Sequence, residues 1–134
     1  MVTQSKRGFT LIELLIVIGI LAVLAAAVVI VLNPAELLAQ ARDGTRISDL
    51  NNIQGAVSLY LSDVTSPTLG TTARSTASSS CGFGTCTVTA SYGVDGTGWV
   101  EVNLTAISTG STLSNLPRDP TNNANYQYAY KGDN

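Results

Sequence analysis

The sequence has no histidine and little charge. Its 134 residues include seven Lys or Arg and nine Asp or Glu, so charged residues make up 12% of the chain, about half of the usual ~25%. Without histidine, the chain lacks the commonest general base and the commonest metal ligand. The formal net charge of −2 gives no sign of a nucleic-acid interface, which requires clustered positive charge.

The residues that remain form no enzyme-like pattern. A serine nucleophile would lack a histidine base, and the sequence shows no pairing of Asp63, Asp95, Glu101 or Asp119. A glycine-rich phosphate loop ending in Gly-Lys-Ser/Thr is also absent from the sequence. We therefore predict a protein that is not an enzyme, with no cofactor and no metal in a catalytic role.

What the sequence does have is a long apolar run near its start. Every residue of Leu14–Leu32 is apolar or glycine. As a helix with ~1.5 Å rise per residue, this run spans roughly 28 Å, close to the ~30 Å hydrocarbon thickness of a bilayer. The apolar stretch begins earlier, at Phe9, yet contains the carboxylate of Glu13. Burying that carboxylate alone would cost several kcal/mol, so its presence needs a reason.

The charges that flank the run set its orientation. Lys6 and Arg7 precede it, which places the N-terminus in the cytoplasm and the rest of the chain outside. A cleaved signal peptide is one alternative, because Ala25–Ala27 has the small residues of a cleavage site, but the apolar Val28–Leu32 follows directly. A plain signal anchor is another, and it leaves Glu13 unexplained.

The stretch KRGFTLIE, Lys6–Glu13, resembles the signal motif of type IV prepilins and of type II secretion pseudopilins. The resemblance implies that a membrane prepilin peptidase cleaves between Gly8 and Phe9 and that Phe9 is then N-methylated. It implies three segments: a leader at 1–8, a transmembrane and filament-core helix at 9–32, and an extracytoplasmic globular domain at 33–134. It also assigns Glu13 to assembly.

Cleavage would supply the missing partner of Glu13. The new N-terminus of Phe9 carries an ammonium, and two opposite buried charges offset each other's desolvation when they pair closely. Phe9 and Glu13 are four residues apart and share a helix face within one subunit. The resemblance implies the other possibility, in which Glu13 meets the Phe9 ammonium of a neighbouring subunit. Both arrangements stay open from the sequence.

The helix is predicted to continue beyond the membrane, from Phe9 to about Ser62, with a defect at Pro34. Asn33-Pro34 resembles a helix start, and proline there removes a backbone hydrogen bond within a continuous helix. Apolar residues then recur at three- and four-residue spacing, which indicates an amphipathic helix. They are Ile47, Leu50, Ile53, Val57 and Tyr60 or Leu61.

The second half of the chain predicts a small antiparallel sheet packed on this helix, and hence an α+β fold. A loop is expected at 63–80, with alternating strands at 85–90, 99–104 and 126–130. Outside the cytoplasm, Cys81 and Cys86 are expected to form a disulfide. A metal site would need more ligands, and a redox pair is more typically spaced as Cys-X-X-Cys.

The segment Leu116–Pro120 resembles a Leu-Pro-X-Asp-Pro turn found late in major pseudopilins and related pilins. In some pseudopilins this region helps to bind calcium, and the candidate oxygen ligands here are Asp119, Asn122, Asn123 and Asp133. A plain structural turn is the favoured alternative. Pilins of this type often continue with another strand, so we expect either that the sequence is truncated or that its last strand is absent.

The functional expectation is a structural subunit that polymerises through its N-terminal helix into a type IV pilus-like filament. The expected partners are other copies of the chain, minor pilins, the prepilin peptidase and an inner-membrane assembly platform. The precursor would cross the inner membrane once, and the mature protein would lie in an extracellular or periplasmic filament. The alternatives are the major pseudopilin of a type II secretion system and, from another class, a membrane-anchored monomeric binding module.

Overall fold

The computed structural model describes residues 8–133, which divide into two compact units between Ala41 and Arg42. The N-terminal unit contains helix α1, Leu11–Leu32, and the start of helix α2, Pro34–Asp63. The C-terminal unit contains the rest of α2 and five strands of two residues each. The α+β fold class is therefore confirmed.

The predicted interruption near Pro34 is present and is centred on Asn33. Asn33 ends α1 with a left-handed backbone, φ 40° and ψ 74°, a conformation that asparagine tolerates better than most residues. Pro34 is the first residue of α2, where its missing N–H costs no helical hydrogen bond. The Asn33 carbonyl accepts a hydrogen bond from the Glu36 amide at 3.0 Å and so begins the next helix.

The strands form a mixed sheet rather than the purely antiparallel sheet predicted. Strand β1, Arg74–Ser75, lies in the centre, parallel to β4, Thr87–Val88, and antiparallel to β5, Ala129–Tyr130. Strands β2, Ser80–Cys81, and β3, Gly84–Thr85, pair as a separate antiparallel hairpin. The loop prediction for 63–80 was wrong at β1 and β2, because a two-residue strand is too short to show alternation.

The strand predicted at 99–104 was also wrong, although its burial pattern was correct. Val100, Val102 and Leu104 are fully buried, while Asn103 is exposed and Glu101 is intermediate. Pairing is limited to an isolated bridge between Asp95 and Asn103, and a 3₁₀ turn begins at Leu104. The alternation therefore reflects side chains packing on a core without a neighbouring strand.

Helix α2 contributes one face to the hydrophobic core of the C-terminal unit. Ile53, Ala56 and Tyr60 are buried in it, whereas Ile47 and Leu50 of the predicted stripe are 63% and 51% exposed. The first part of the predicted apolar face is therefore not core. The other buried core residues come from the second half of the chain: Trp99, Val100, Val102, Leu104, Ile107, Leu116 and Tyr128.

The predicted disulfide is present and closes the β2–β3 hairpin. Cys81 and Cys86 are bonded, with their Cα atoms 6.0 Å apart. Cys86 is buried, while Phe83 lies between the two cysteines in sequence and is exposed. A covalent bond across so short a loop restricts the unfolded chain and so stabilises the folded hairpin.

Candidate assembly site

Glu13 closes the first turn of α1 together with Thr10. The Glu13 Oε2 atom accepts hydrogen bonds from the Thr10 amide at 2.9 Å and from the Thr10 hydroxyl at 2.7 Å. The Thr10 hydroxyl oxygen in turn accepts from the Glu13 amide at 3.3 Å. This reciprocal arrangement is a capping box, which satisfies backbone N–H groups that the helix itself leaves unpaired.

The capping box is the feature of this site that the sequence analysis missed. Its signal was available as Thr-X-X-Glu directly before an apolar run. The box gives Glu13 a role within its own chain, but it uses only one carboxylate oxygen. Within residues 8–133, no group donates a hydrogen bond to Oε1 of Glu13. One side of the carboxylate therefore remains available to a further donor.

Gly8 and Phe9 precede the helix and are exposed. A Cβ atom added at Gly8 would meet nothing within 4 Å, and the Phe9 side chain is 84% exposed. The peptide bond between them is therefore accessible in the chain itself. The cations of the predicted leader, Lys6 and Arg7, lie outside the described residues. The predicted roles of Gly8 and Phe9 in processing, and of Phe9 and Glu13 in assembly, stay predictions.

Helix α1 presents apolar side chains on every side and has no buried residue in the single chain. It is the one helix in the described part of the chain that is long and apolar enough to cross a membrane. A helix that is apolar all round must be covered by lipid or by other helices. Gly19 lies midway along it, with open space where a Cβ would be, so another helix could approach closely there.

The C-terminal unit contains a second carboxylate of interest, Asp119, which is 4% exposed. Its Oδ2 accepts from Arg46 Nε at 2.7 Å, and its Oδ1 accepts from Arg46 Nη2 and from the amides of Thr121 and Asn122. The hydrogen bond from Arg46 is the main reason that the pKa of Asp119 falls to about 2, with the two amides adding to it. The Arg46 guanidinium also lies 4.7 Å from the centre of the Tyr126 ring.

The four predicted calcium ligands do not form a cluster of free oxygens. Asp119 is already neutralised by Arg46, and Asn123 Oδ1 accepts from the amides of Asn125 and Tyr126. Asn122 Oδ1 is buried and has no hydrogen-bond partner in the described part of the chain, while Asp133 is exposed. Across residues 8–133, no group of three or more Asp, Glu, Cys or His side chains is placed to hold a metal. Calcium binding at this loop stays a prediction.

Comparison with known families bears on the N-terminal segment. Residues 3–29 match the family model described as the prokaryotic N-terminal methylation motif. This is the class III prepilin signal motif of type IV pilins and pseudopilins, and the match includes Gly8, Phe9, Thr10 and Glu13. Comparison with curated proteins and with solved structures gave no match. The motif supports a type IV pilin-like or pseudopilin precursor.

Proposed function

We propose that this chain is the precursor of a structural subunit that polymerises through α1 into a type IV pilus-like filament. The observation that carries the proposal is the methylation motif at residues 3–29, which includes most of α1, an apolar helix with no buried residue. In this proposal, residues 1–8 are the leader, 9–32 are the membrane and filament-core segment, and 33–134 are the extracytoplasmic domain.

The proposed order of events begins in the membrane. The precursor crosses it once with a cytoplasmic N-terminus, and the prepilin peptidase cleaves the exposed bond between Gly8 and Phe9. Methylation of Phe9 leaves its nitrogen cationic. An assembly platform then transfers the mature chain into a filament of copies of itself and of minor pilins, outside the cytoplasmic membrane.

Within the filament, we expect Glu13 to bind the Phe9 ammonium of a neighbouring subunit. Support comes from Oε1, which accepts no hydrogen bond from residues 8–133, since Thr10 binds only Oε2. In the membrane and in the filament, helix α1 would be surrounded by lipid or by other helices, so an unpaired carboxylate or ammonium there would be costly. A pair formed between subunits satisfies both charges and fixes the axial position of each chain, so it specifies geometry more than it adds stability.

A major pseudopilin of a type II secretion system is the second candidate. The observation that favours it is the Leu-Pro-X-Asp-Pro turn at Leu116–Pro120, in which Asp119 binds Arg46 and two backbone amides. A pseudopilin would form a periplasmic filament instead of a surface pilus. Electron microscopy of whole cells, with labelling against the C-terminal unit, distinguishes these outcomes.

The deciding experiment is intact-mass analysis of the native protein together with its Gly8→Val variant. We expect a mature chain that begins at Phe9 with one added methyl group, recovered in filaments. Gly8→Val should retain the leader, because a β-branched side chain crowds the bond that is cut. Gly19→Val is a matched control, since both glycines have open space around them, and it should be processed normally.

Two results would contradict the proposal. A mature chain beginning at Val28 would indicate an ordinary signal peptide. A processed chain that stays monomeric in the membrane, with no crosslinks formed between copies of α1, would indicate the membrane-anchored binding module.

A further inference from the structure

The C-terminal unit contains one tripeptide of the form Asn-X-Ser/Thr, which is Asn103-Leu104-Thr105. No other asparagine in the sequence has serine or threonine two positions later. With any residue except proline in the middle, this tripeptide is the acceptor for N-linked glycans in exported proteins. Short motifs of this kind occur by chance, so the local structure has to decide whether the site is usable.

The structure places the two side chains that matter on the surface. Asn103 and Thr105 are exposed, while Leu104 between them is fully buried in the core. The Leu104 amide donates to the Val94 carbonyl at 2.8 Å. The tripeptide is therefore anchored at its middle residue and open at both ends, which fixes the acceptor on the outside of the folded domain.

The side chains of Asn103 and Thr105 contact each other through one atom of the amide. Asn103 Oδ1 accepts hydrogen bonds from the Thr105 amide at 3.1 Å and from the Thr105 hydroxyl at 2.5 Å. No group within residues 8–133 accepts a hydrogen bond from Asn103 Nδ2. The amide oxygen is thus occupied by its own motif, and the amide nitrogen is left for a reaction partner.

This arrangement favours the chemistry of N-glycosylation. A carboxamide nitrogen is a poor nucleophile because its lone pair is delocalised onto the oxygen. When Nδ2 loses a proton, negative charge accumulates on Oδ1, and donors already directed at that oxygen stabilise it. The Thr105 hydroxyl is one of those donors, so it would directly stabilise the negative charge on Asn103 Oδ1.

We propose that Asn103 is an N-glycosylation site, modified by a membrane transferase that uses a polyprenyl-diphosphate-linked sugar. Asn103 Nδ2 would form a bond to the anomeric carbon of the sugar, the bond from that carbon to the diphosphate oxygen would break, and a base on the transferase would take the Nδ2 proton. The polyprenyl diphosphate is the leaving group. The inference rests on the proposed extracytoplasmic location of this domain, where such donors are used.

The chain also contains an internal comparison. Asn123 is exposed and its Oδ1 accepts from two following amides, those of Asn125 and Tyr126. It has a similar turn but no hydroxyl two positions later, because residue 125 is asparagine. Asn123 should therefore be unmodified, and Asn125→Thr should make it an acceptor.

The test is peptide mass spectrometry of the full chain and its variants, expressed in the native host. We expect a glycan on Asn103 that an amidase releases to leave aspartate. Asn103→Gln and Thr105→Ala should lose it completely, and Thr105→Ser should retain it. Asn103→Asp keeps the Oδ1 acceptor of the turn while removing Nδ2, so it should fold normally and remain unmodified. Asn125→Thr should add a second glycan, at Asn123.

In the same molecules, the oxidation state of Cys81 and Cys86 indicates whether the domain has left the cytoplasm. An unmodified Asn103 in chains whose Cys81–Cys86 bond is formed would overturn the glycosylation proposal while leaving the proposed location intact. An unmodified Asn103 in chains with two free thiols would overturn the location and this inference with it. A glycan that persists in Asn103→Gln would lie on another residue and would also overturn the assignment.

Discussion

Each unit of the chain contains a carboxylate near apolar residues, and the two carboxylates differ in the hydrogen-bond partners that their own unit supplies. Asp119, in the C-terminal unit, has Arg46 and two backbone amides of its own unit as partners. Glu13, in the N-terminal unit, has only Thr10, and one of its oxygens is left without a donor within residues 8–133. Asp119 is therefore fully paired within its own unit, whereas the pairing that we propose for Glu13 requires a cation from outside residues 8–133.

The largest effect is expected from Glu13→Val. The substitution keeps the segment apolar, so membrane insertion and cleavage should be normal, but assembly should fail. Without the carboxylate, Phe9 would bring an unpaired ammonium into the filament core, and breaking a buried pair costs ~3–5 kcal/mol. Filament yield is measured beside membrane level and N-terminal processing for each variant.

Two further variants separate the roles of Glu13. Thr10→Val removes the cap, worth ~1 kcal/mol, but keeps the carboxylate, so filaments should persist. Glu36→Val removes an exposed carboxylate from the first turn of α2 and should assemble like the unaltered chain. If Glu13→Val subunits are processed and form filaments in normal amounts, the proposed pairing with Phe9 is wrong.

A second prediction tests the self-sufficiency of the C-terminal unit. A fragment that begins at Ala35 lacks the exposed apolar side chains of α1 and should be soluble and monomeric. Sedimentation and circular dichroism would measure its mass and folding. If this fragment forms filaments with the symmetry of the full chain, α1 is not the filament core.

The third prediction concerns the Arg46–Asp119 pair in that fragment. Asp119→Ala leaves the amides of Thr121 and Asn122 without their acceptor and removes the buried carboxylate bound to Arg46, which keeps its exposed ion pair with Asp43. The free energy of unfolding should therefore fall by about 3 kcal/mol. Urea denaturation measures this directly. Asp133→Ala is the control, because Asp133 is exposed, and it should change stability little. If Asp119→Ala and Asp133→Ala lower the free energy of unfolding equally, the buried Arg46–Asp119 pair stabilises the unit no more than an exposed carboxylate does.

Whether a feature of the fold or of the candidate site could be predicted depended on how far apart its interacting residues lie in the sequence. The apolar helix, its break beside Pro34 and the Cys81–Cys86 bond are local, and the sequence pattern predicted each of them. The capping box was not predicted, although it is equally local: Thr10 and Glu13 are three residues apart, and their Thr-X-X-Glu pattern directly precedes the apolar run.

The rest depends on contacts between distant parts of the chain. The pairing of Arg46 with Asp119 joins residues 73 positions apart, and no periodicity encodes it. The strands are two residues long, too short for an alternating pattern, and the true alternation at Val100, Val102 and Leu104 belongs to a loop. The proposed contact of Glu13 involves another subunit, so neither the sequence nor the single chain contains it.

The fourth prediction uses acid to weaken the same pair. The pKa of Asp119 is lowered from 3.8 to about 2, chiefly by the hydrogen bond from Arg46. A folded-state pKa below the unfolded value adds stability that is complete above pH ~4 and is lost as pH falls toward 2. The expected loss is about 2 kcal/mol, measured by urea unfolding of the Ala35 fragment across this range. Asp119→Asn should show a shallower acid dependence; an identical slope would assign the acid sensitivity to other carboxylates.

The smallest effect is expected from Tyr128→Phe. The Tyr128 hydroxyl donates to Asp49 Oδ2 at 2.8 Å, and burial, followed by Asp49, raises the pKa of Tyr128. Phenylalanine keeps the ring that contacts Trp99 at a centroid distance of 5.5 Å, so only the hydrogen bond is lost, worth ~1 kcal/mol. Trp99 fluorescence during urea unfolding of the fragment would measure it. Tyr126→Phe is the control. Tyr126 contacts Arg46 through its ring, which phenylalanine keeps, so this substitution should be neutral. If the two variants lose equal stability, the link between Asp49 and Tyr128 does not help to hold α2 against the strand-bearing segment of this unit.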